Sequence, residues 1–437
     1  MKNIFKLLAF LPLLTACDDL FEPALENNRD LEAMYKEPSY AQGILANAYI
    51  ILPYETSPTS DLATDDAVTN EISSNYLRMA TGSWTANNNP VSQWQNRFNA
   101  IQYINLFLEN VDKVEWAKDE RISTMFLDRL KGEAYGLRAL HMYYLLRAHG
   151  GKIADGTLMG VPIILKSEGP DADFNHARAT YSDCVKQIME DADKAIELLP
   201  LDYKKFADSE IPEKYKNIGV TNASDYRRVC GEEYRGLMSG RIALAVRAQT
   251  ALLAASPAFQ SGSGMTWEQA ADYAAEIIEK ANGGGGCGLD ADGLEWYTLA
   301  DKDYGTGGSP AEVIWRSSTD DNNTLETANF PPSLYGNGRV NPTQNLVDAF
   351  PMANGYPISE TDVVNKESGR STRTGYYLRK LLRKECNPNS QYNTKKKHYT
   401  ARIRYTEMFL IYAEAANEAW GPQNNHGHLF SAYDVIK

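Results

Sequence analysis

The sequence lacks the residue patterns that catalysis, metal binding and nucleic-acid binding usually require. Its five cysteines follow neither a CxxC spacing nor the spacing of a zinc site. Acidic residues outnumber basic ones 57 to 44, and the net charge of −13 argues against the basic face that nucleic-acid phosphates need. No serine lies in a nucleophile elbow, and the glycine run at 283–288 lacks the Lys-Ser/Thr end of a phosphate loop. We therefore expect a protein that is not an enzyme, holds no cofactor and binds no nucleic acid.

Two pairs of neighbouring acids are the obvious candidates for glycoside hydrolysis, which needs two carboxylates at a set separation. They are Asp65–Asp66 and Asp320–Asp321. Sequence neighbours on a loop seldom face one substrate, whereas turns and helix caps use aspartate often. The HGH sequence at 426–428 offers two imidazoles without a third metal ligand. These patterns favour structural roles, so we predict no catalytic residue and no metal site.

The N-terminus combines a short apolar run with a cysteine. Lys2 and Lys6 precede Leu7–Leu14, a stretch too short to span a bilayer as a helix. The following residues up to Cys17 resemble a bacterial lipobox, with cleavage before Cys17 and lipidation of its thiol. Several acyl chains, at about 0.8 kcal/mol per buried methylene, give stable anchoring. The acidic residues at 18–22 resemble the surface-export signal of some Gram-negative lipoproteins.

The remaining cysteines are Cys184, Cys230, Cys287 and Cys386. An exported location permits disulfides. Their spacing favours no particular pairing, so every combination stays open at this stage.

Apolar residues at a spacing of three and four predict a series of amphipathic helices. The predicted helices cover 39–52, 93–114, 123–149, 181–199, 238–256, 266–281, 402–420 and the segment that begins at 431. At least three pairs share one style, in which a long alanine-rich helix precedes a shorter one, as in tetratricopeptide repeats. The insertions between them differ in length. The sequence therefore predicts a tetratricopeptide-like scaffold with inserted loops.

Two long segments interrupt the helices. Residues 54–92 are dense in Ser, Thr, Asn and Asp, and residues 283–400 shift to Gly, Asn, Pro, Tyr and Trp. Loops of this length in a compact domain are more often functional than idle. Within the second segment, 312–316 alternates as a short strand does, whereas 376–382 fits either a strand or a basic helix. Thr343 stands at the N-cap position of a short helix that Pro351 ends.

Sugar binding requires exposed rings that stack on pyranose C–H faces, flanked by amides, carboxylates and arginines. The polar 54–92 loop offers such a set around one tryptophan, and the second segment offers three more rings. The candidate ligand residues are Trp84, Arg78, Asp66, Asn87, Asn88, Trp296, Tyr297 and Trp315. Trp315 is the weakest of them, because a tryptophan on a short strand is more often buried in the core.

Several sequence segments resemble the SusD/RagB family of outer-membrane nutrient-binding lipoproteins. The similar segments are NPTQNLVDAFPMANGYPI (341–358), TGYYLRK (374–380), RIRYTEMFLIYAEAANE (402–418), LRALHMYYLLRAHGG (137–151), VPIIL (161–165) and AQTALLAASPAF (248–259). They occur in the order that the family shows, and with the lipobox they cover nearly the whole chain. Together they are specific, although none of them would suffice alone.

The resemblance implies a fold and a function. The implied fold is mostly α, with four tetratricopeptide-like helix pairs forming a right-handed scaffold under an irregular, loop-rich ligand-side subdomain that carries a few short strands. The implied function is that of a cell-surface lipoprotein of the outer membrane. Such a protein binds oligosaccharides or polysaccharides without cleaving them and passes them to a TonB-dependent SusC-like transporter. The alternative is a helical-repeat scaffold, or a binder of peptides or glycoproteins, that has no glycan site.

These considerations divide the chain into a signal peptide (1–16), a tether (17–38), a helical scaffold (39–282 and 401–437) and a ligand-side insertion (283–400) to which the 54–92 loop contributes. Two features depart from the family. Only Ser359–Arg373 separates two of the similar segments, where family members carry a longer stretch. The chain also ends inside the last predicted helix, so the C-terminal part of the scaffold is expected to be truncated.

Overall fold

The computed structural model describes residues 35–55, 60–85, 87–281, 289, 295–298, 311–350, 352–353, 356–357, 364–366, 374 and 376–437. The predicted signal peptide, the lipidation site at Cys17, most of the tether and Cys287 lie outside these residues. Cys184, Cys230 and Cys386 are buried free thiols. Among the described residues, no helix combines the length and the apolarity needed to cross a bilayer.

Eight helices form the scaffold. They are α1 (Pro38–Ile50), α2 (Trp94–Asn110), α3 (Glu120–His149), α4 (Tyr181–Leu198), α5 (Gly240–Ala255), α6 (Trp267–Glu279), α7 (Tyr405–Trp420) and α8 (Ala432–Ile436). Each of them packs on the next one along the chain, from α1 to α8. The mostly helical fold class is therefore confirmed. The eight helices group into four consecutive pairs, the number that the resemblance implies.

Capping side chains explain where several of these helices begin. Asp119 caps α3 by accepting hydrogen bonds from the backbone N–H groups of Arg121 and Ile122. Thr266 and Gln269 form a capping box at the start of α6, with each side chain accepting from the other residue's backbone N–H. The predicted helix at 402–420 starts later than expected, because 401–404 forms a strand.

Small residues allow the central helices to approach closely. A Cβ at Gly132 of α3 would lie 2.6 Å from Leu199 Cγ, and one at Gly136 would lie 2.6 Å from Met238 Cγ. On α5, alanines 243, 245, 248 and 251 are fully buried, because α4 and α6 both pack against this helix. The core therefore extends along the scaffold through the contacts of alanines and glycines.

The connection between α4 and α5 carries the short helices Asp208–Glu210, Glu213–Lys216, Ala223–Cys230 and Glu232–Tyr234. It has its own apolar cluster, in which Tyr226 and Val229 pack with Ile122 and Met125 of α3. A third, small cluster joins Val347 and Tyr376, which both belong to the ligand-side insertion.

Short strands form six separate antiparallel pairs in the described residues. The pairs are β1 (Ala67–Thr69) with β6 (Val340–Pro342), β2 (Gly151–Lys152) with β3 (Leu158–Met159), β4 (Val313–Arg316) with β12 (Ala401–Arg404), β5 (Asp320–Asn322) with β11 (Lys396–His398), β7 (Met352–Ala353) with β8 (Tyr356–Pro357), and β9 (Val364–Lys366) with β10 (Tyr376–Leu378). The strand predicted at 312–316 is confirmed as β4. The open choice at 376–382 is settled as a strand, β10.

The 54–92 segment is more regular than the loop that the sequence predicts. It contains a 3₁₀ turn (Ser60–Ala63), β1 and a short helix (Asn75–Ala80). Further short helices lie at Gln260–Ser263, Glu295–Thr298, Thr324–Asn329, Pro332–Leu334 and Gln344–Ala349. Thr343 caps the last of these by accepting from Leu346 N–H, as predicted. The β1–β6 pair therefore ties the 54–92 segment to the stretch around Thr343.

Candidate functional site

A cavity of about 200 Å³ opens where the 54–92 segment meets the end of the ligand-side insertion. Its walls come from the Ser60–Ala63 turn, the Glu295–Thr298 helix, the turn after β10 and the β11–β12 connection. The residues that line it include Asp61, Trp296, Tyr297, Leu325, Lys380, His398, Tyr399 and Arg404. The cavity therefore combines aromatic rings with groups of both charges.

Trp296 is fixed from several sides. Its ring meets the Tyr297 ring edge to face at a centroid separation of 5.0 Å. The Arg404 guanidinium lies 4.0 Å from the centre of the indole, and Arg404 Nη1 also donates to Glu312 Oε1 at 2.6 Å. The Tyr399 hydroxyl donates a hydrogen bond to the Trp296 carbonyl. A half-buried indole held in this way can serve as a rigid stacking surface at the cavity wall.

Charged groups on the wall offer donors and acceptors to a polar ligand. Lys380 Nζ lies 3.2 Å from Asp61 Oδ2, and both side chains are about half exposed. This pair joins the 54–92 segment to the turn after β10. A sugar hydroxyl both donates and accepts, so a neighbouring ammonium and carboxylate can each serve it.

A second groove, of about 760 Å³, runs between the 54–92 segment and residues 324–340. Leu325 lines both the cavity and this groove. Inside the groove the Tyr76 hydroxyl donates to Glu55 Oε1 at 2.6 Å. Burial and this hydrogen bond raise the pKa of Tyr76 above its ordinary value, so the phenol stays protonated and acts as a donor. The two spaces adjoin through the Leu325 side of the Thr324–Asn329 helix.

The residues that the sequence groups around Trp84 lie on the 54–92 segment, within the Asn75–Ala80 helix and on both sides of it. Trp84 is 48% exposed and follows the Asn75–Ala80 helix. Arg78 lies close to it, since its carbonyl accepts from Ser83 N–H, and the bridge between Thr85 and Asn88 forms the next turn. Asp66 is exposed, and its carbonyl accepts from Thr343 N–H.

The remaining predicted ligand residues fall into two groups. Trp296 and Tyr297 line the cavity, as a binding role would require. Trp315 does not, because it is 1% exposed and its Nε1 donates to the Gly236 carbonyl at 2.8 Å. Its burial corrects its place among the candidate ligand residues. Asn87 and Asn88 are exposed but line neither the cavity nor the groove.

Sequence patterns give little indication of the polar wall. Asp61, Lys380, Tyr399 and Arg404 come from three separated segments that meet only in the folded chain. One local signal was present, namely the alternation of polar and apolar residues over 401–404, with Ile403 buried on β12. That alternation indicates a strand with its arginines on the opposite face from Ile403.

One cluster could hold a metal ion. Glu326, Cys386 and His398 bring a carboxylate oxygen, a thiol and an imidazole nitrogen within 4.8 Å of one another. Burial and the Glu326 carboxylate raise the pKa of the Cys386 thiol to about 12. Burial alone would lower the pKa of His398, but the hydrogen bond to Glu326 and the charge of that carboxylate raise it overall. The three residues are up to 72 positions apart in the chain, so no local sequence pattern indicates this cluster.

Two family models match the chain. A SusD-like model described as "Starch-binding associating with outer membrane" matches residues 25–214, and the model of the SusD family matches residues 359–437. The two matches lie at opposite ends of the chain and together span more than half of it. A search of curated protein sequences found no match.

Solved structures share the fold at low sequence identity. A SusD-like protein from Bacteroides fragilis is 16% identical, with 95% of this chain and 80% of that chain covered and a TM-score of 0.64. A laminarin-binding SusD-like protein is 16% identical, with 92% and 83% covered and a TM-score of 0.57. Surface glycan-binding protein A from Bacteroides uniformis is 15% identical, with 89% and 78% covered and a TM-score of 0.58.

Proposed function

Because the chain belongs to the SusD/RagB family, we propose that it binds oligosaccharides or polysaccharides without cleaving them. The observation that carries the proposal is the Trp296 cavity. There, an indole held by Arg404 and Tyr399 stands beside the Asp61–Lys380 pair. An aromatic face with flanking charged and polar groups is the arrangement that a pyranose ring needs.

The predicted residues around Trp84 are a second part of the proposal. Trp84 is exposed on a polar segment, and Arg78 lies close to it in the chain. Trp84 belongs to the same 54–92 segment as Asp61, which lines the cavity. Trp315 is left out because it is buried, whereas the exposed Asp66 remains part of the proposal.

Anchoring and a transporter partner complete the proposed function. Lipidation of Cys17 would hold the protein at the outer membrane, facing the cell exterior. We propose that the bound glycan passes from there to a TonB-dependent SusC-like transporter. Support for both comes from the lipobox-like sequence and from the family, one of whose matching models is described as associating with the outer membrane.

The test is a binding screen on purified protein that starts at Asp18. We expect a defined oligosaccharide, found on a glycan array, to bind in calorimetry and to be recovered uncleaved by chromatography. Removal of one stacking ring costs about 1–3 kcal/mol in comparable aromatic contacts. Trp296→Ala should therefore weaken the affinity by roughly 5- to 160-fold.

Tyr433→Ala is the matched control, since Tyr433 is 52% exposed on α8 and does not line the cavity. The affinity of the Tyr433→Ala variant for the oligosaccharide should equal that of the unmodified protein. If no glycan on the array binds but a peptide or glycoprotein does, the alternative function is favoured. A cleaved oligosaccharide in the chromatogram would refute the non-enzymatic function.

A further inference from the structure

Three segments converge on a buried carboxylate next to the cavity. Glu326, on the Thr324–Asn329 helix, is fully buried, whereas Cys386 follows β10 and His398 lies on β11. His398 Nε2 is 3.0 Å from Glu326 Oε1, and one ligand atom from each of the three residues lies within 4.8 Å of the others. His398 also lines the cavity, but the proposed carbohydrate function assigns no ligand contact to any of the three residues.

The hydrogen bonds of Glu326 satisfy one of its oxygens and not the other. Oε1 accepts from Arg383 N–H at 2.7 Å and lies beside His398 Nε2. Oε2 is buried and finds no hydrogen-bond partner among the described residues. A buried carboxylate oxygen without a partner is costly. A cation placed between the three side chains would remove that cost.

The imidazole of His398 is oriented as metal-binding histidines are. Its Nδ1 lies 2.7 Å from the Lys396 carbonyl, to which only an N–H can donate. A hydrogen bond from Nδ1 to a backbone carbonyl fixes the ring, so that Nε2, which lies beside Glu326 Oε1, points into the space between the three side chains. The nearby Arg383 guanidinium is directed to other acceptors, with Nη1 on the Lys397 carbonyl at 3.0 Å and Nε 3.5 Å from Glu385.

The separations and the ligand types fit one class of ion. Ligand atoms of a tetrahedral zinc site lie roughly 3.4–3.6 Å apart, given bond lengths of about 2.0–2.3 Å. The observed separation of 3.0 Å and the limit of 4.8 Å bracket that value. A thiolate and an imidazole suit zinc, whereas calcium and magnesium prefer sites made of oxygen alone.

We propose that Glu326, Cys386 and His398 bind a zinc ion, with water as the fourth ligand. The ion replaces the thiol proton of Cys386, which is released to solvent, and it takes the lone pair of His398 Nε2. It joins the Thr324–Asn329 helix, the turn at Arg383–Cys386 and β11. Because Leu325 and His398 also line the cavity, the ion fixes part of the cavity wall.

The test uses purified protein after treatment with a chelator and dialysis. We expect Zn²⁺ to bind with one-to-one stoichiometry in calorimetry and to raise the melting temperature, with no such effect from Ca²⁺ or Mg²⁺. Co²⁺ in place of Zn²⁺ should give a thiolate-to-cobalt charge-transfer absorption, which reports the cysteine ligand directly. Absence of both zinc binding and this absorption would overturn the proposal.

Substitutions locate the site. Cys386→Ser and Glu326→Gln should weaken Zn²⁺ binding by more than the roughly 10–100-fold that the loss of an outer partner costs, and Cys386→Ser should abolish the cobalt absorption. Cys184→Ser, which changes a buried thiol elsewhere in the core, should leave both unchanged. Circular dichroism checks that each variant is folded. The zinc site is refuted if folded Cys386→Ser keeps the absorption, or if Cys184→Ser loses it.

Discussion

Arg138 and Asp191 face each other between α3 and α4, and the guanidinium donates two hydrogen bonds to the carboxylate, at 2.7 and 2.8 Å. Both side chains are buried, and Arg138 also donates to Asn105 on α2. Loss of one partner leaves the other charge buried and uncompensated, at a cost of roughly 3–5 kcal/mol. We expect Asp191→Ala to lower the free energy of unfolding by that amount in urea denaturation.

An exposed ion pair between α3 and the turn after α2 serves as the control. Lys131 Nζ lies 2.5 Å from Asp112, whose side chain is 61% exposed. Exposed pairs contribute only about 0–1 kcal/mol, because solvent screens them. Asp112→Ala should therefore change the free energy of unfolding by no more than that. Equal losses in both variants would contradict the role assigned to the buried pair.

Two glycine substitutions test the close packing of α3. Gly132→Ala places a methyl group 2.6 Å from Leu199 Cγ, and overpacking of this kind costs about 1–3 kcal/mol. At Gly43 of α1 a Cβ meets nothing within 4 Å, so Gly43→Ala should gain about 0.5–1 kcal/mol from helix propensity. Thermal unfolding should move the melting temperature down for the first variant and up for the second. If the melting temperature moved in the same direction in both variants, the packing explanation would be refuted.

His141 predicts a dependence of stability on pH. Burial, together with the nearby Arg97, lowers the pKa of His141 from its ordinary 6.5 to about 3. Between these two values the unfolded chain binds a proton at this histidine and the folded protein does not. The free energy of unfolding must therefore fall as the pH falls through that window. We expect a contribution of several kcal/mol at most, at roughly 1.4 kcal/mol per pH unit.

The measurement compares urea denaturation at pH 7 and pH 4.5 for the unmodified protein and His141→Gln. Glutamine keeps a side-chain donor for the Ala48 carbonyl, which now accepts from His141 Nε2 at 3.1 Å. The loss of stability on acidification should be smaller in the variant, since the titrating group is gone. An unchanged loss would show that other groups cause it.

The lipidation site can be tested in cells. If the thiol of Cys17 carries the anchor, Cys17→Ala should move the protein from the membrane fraction to the soluble fraction, because the acyl chains supply the membrane affinity. Immunoblots of the two fractions measure this. Cys184→Ala, which alters a buried thiol of the folded domain, should stay with the membranes. A membrane-bound Cys17→Ala protein would disprove the anchor.

The helices of the scaffold could be predicted because their signals are local. Apolar residues three and four apart place α3 and α4 correctly to within three residues at either end, and Thr343 marks the start of its helix through its own side chain. The first residues predicted for α7 are the exception. Residues 401–404 pair with β4, which lies some ninety residues earlier, and this distant partner overrides the helical pattern.

Only some of the residues that line the cavity could be predicted from the sequence. Trp296 and Tyr297 could be selected because aromatic residues in a polar segment are conspicuous. Arg404 and Asp61 could not, because their positions depend on strand pairs and turns that bring distant segments together. Trp315 was selected as a ligand residue but is buried, and its burial also depends on distant residues. The Tyr54 ring centroid is 5.6 Å away, and the Gly236 carbonyl accepts from the indole N–H.

The pairing of β1 with β6 also bears on the order of folding. Thr343 donates a hydrogen bond to the carbonyl of Asp65, a residue 278 positions away in the chain, whereas consecutive scaffold helices contact their sequence neighbours. Contacts between distant residues form more slowly than local ones, because a larger loop must close first. On this ground the scaffold helices can form before the β1–β6 pair does. A partly folded molecule would then have its scaffold before the 54–92 segment completes the cavity that it lines.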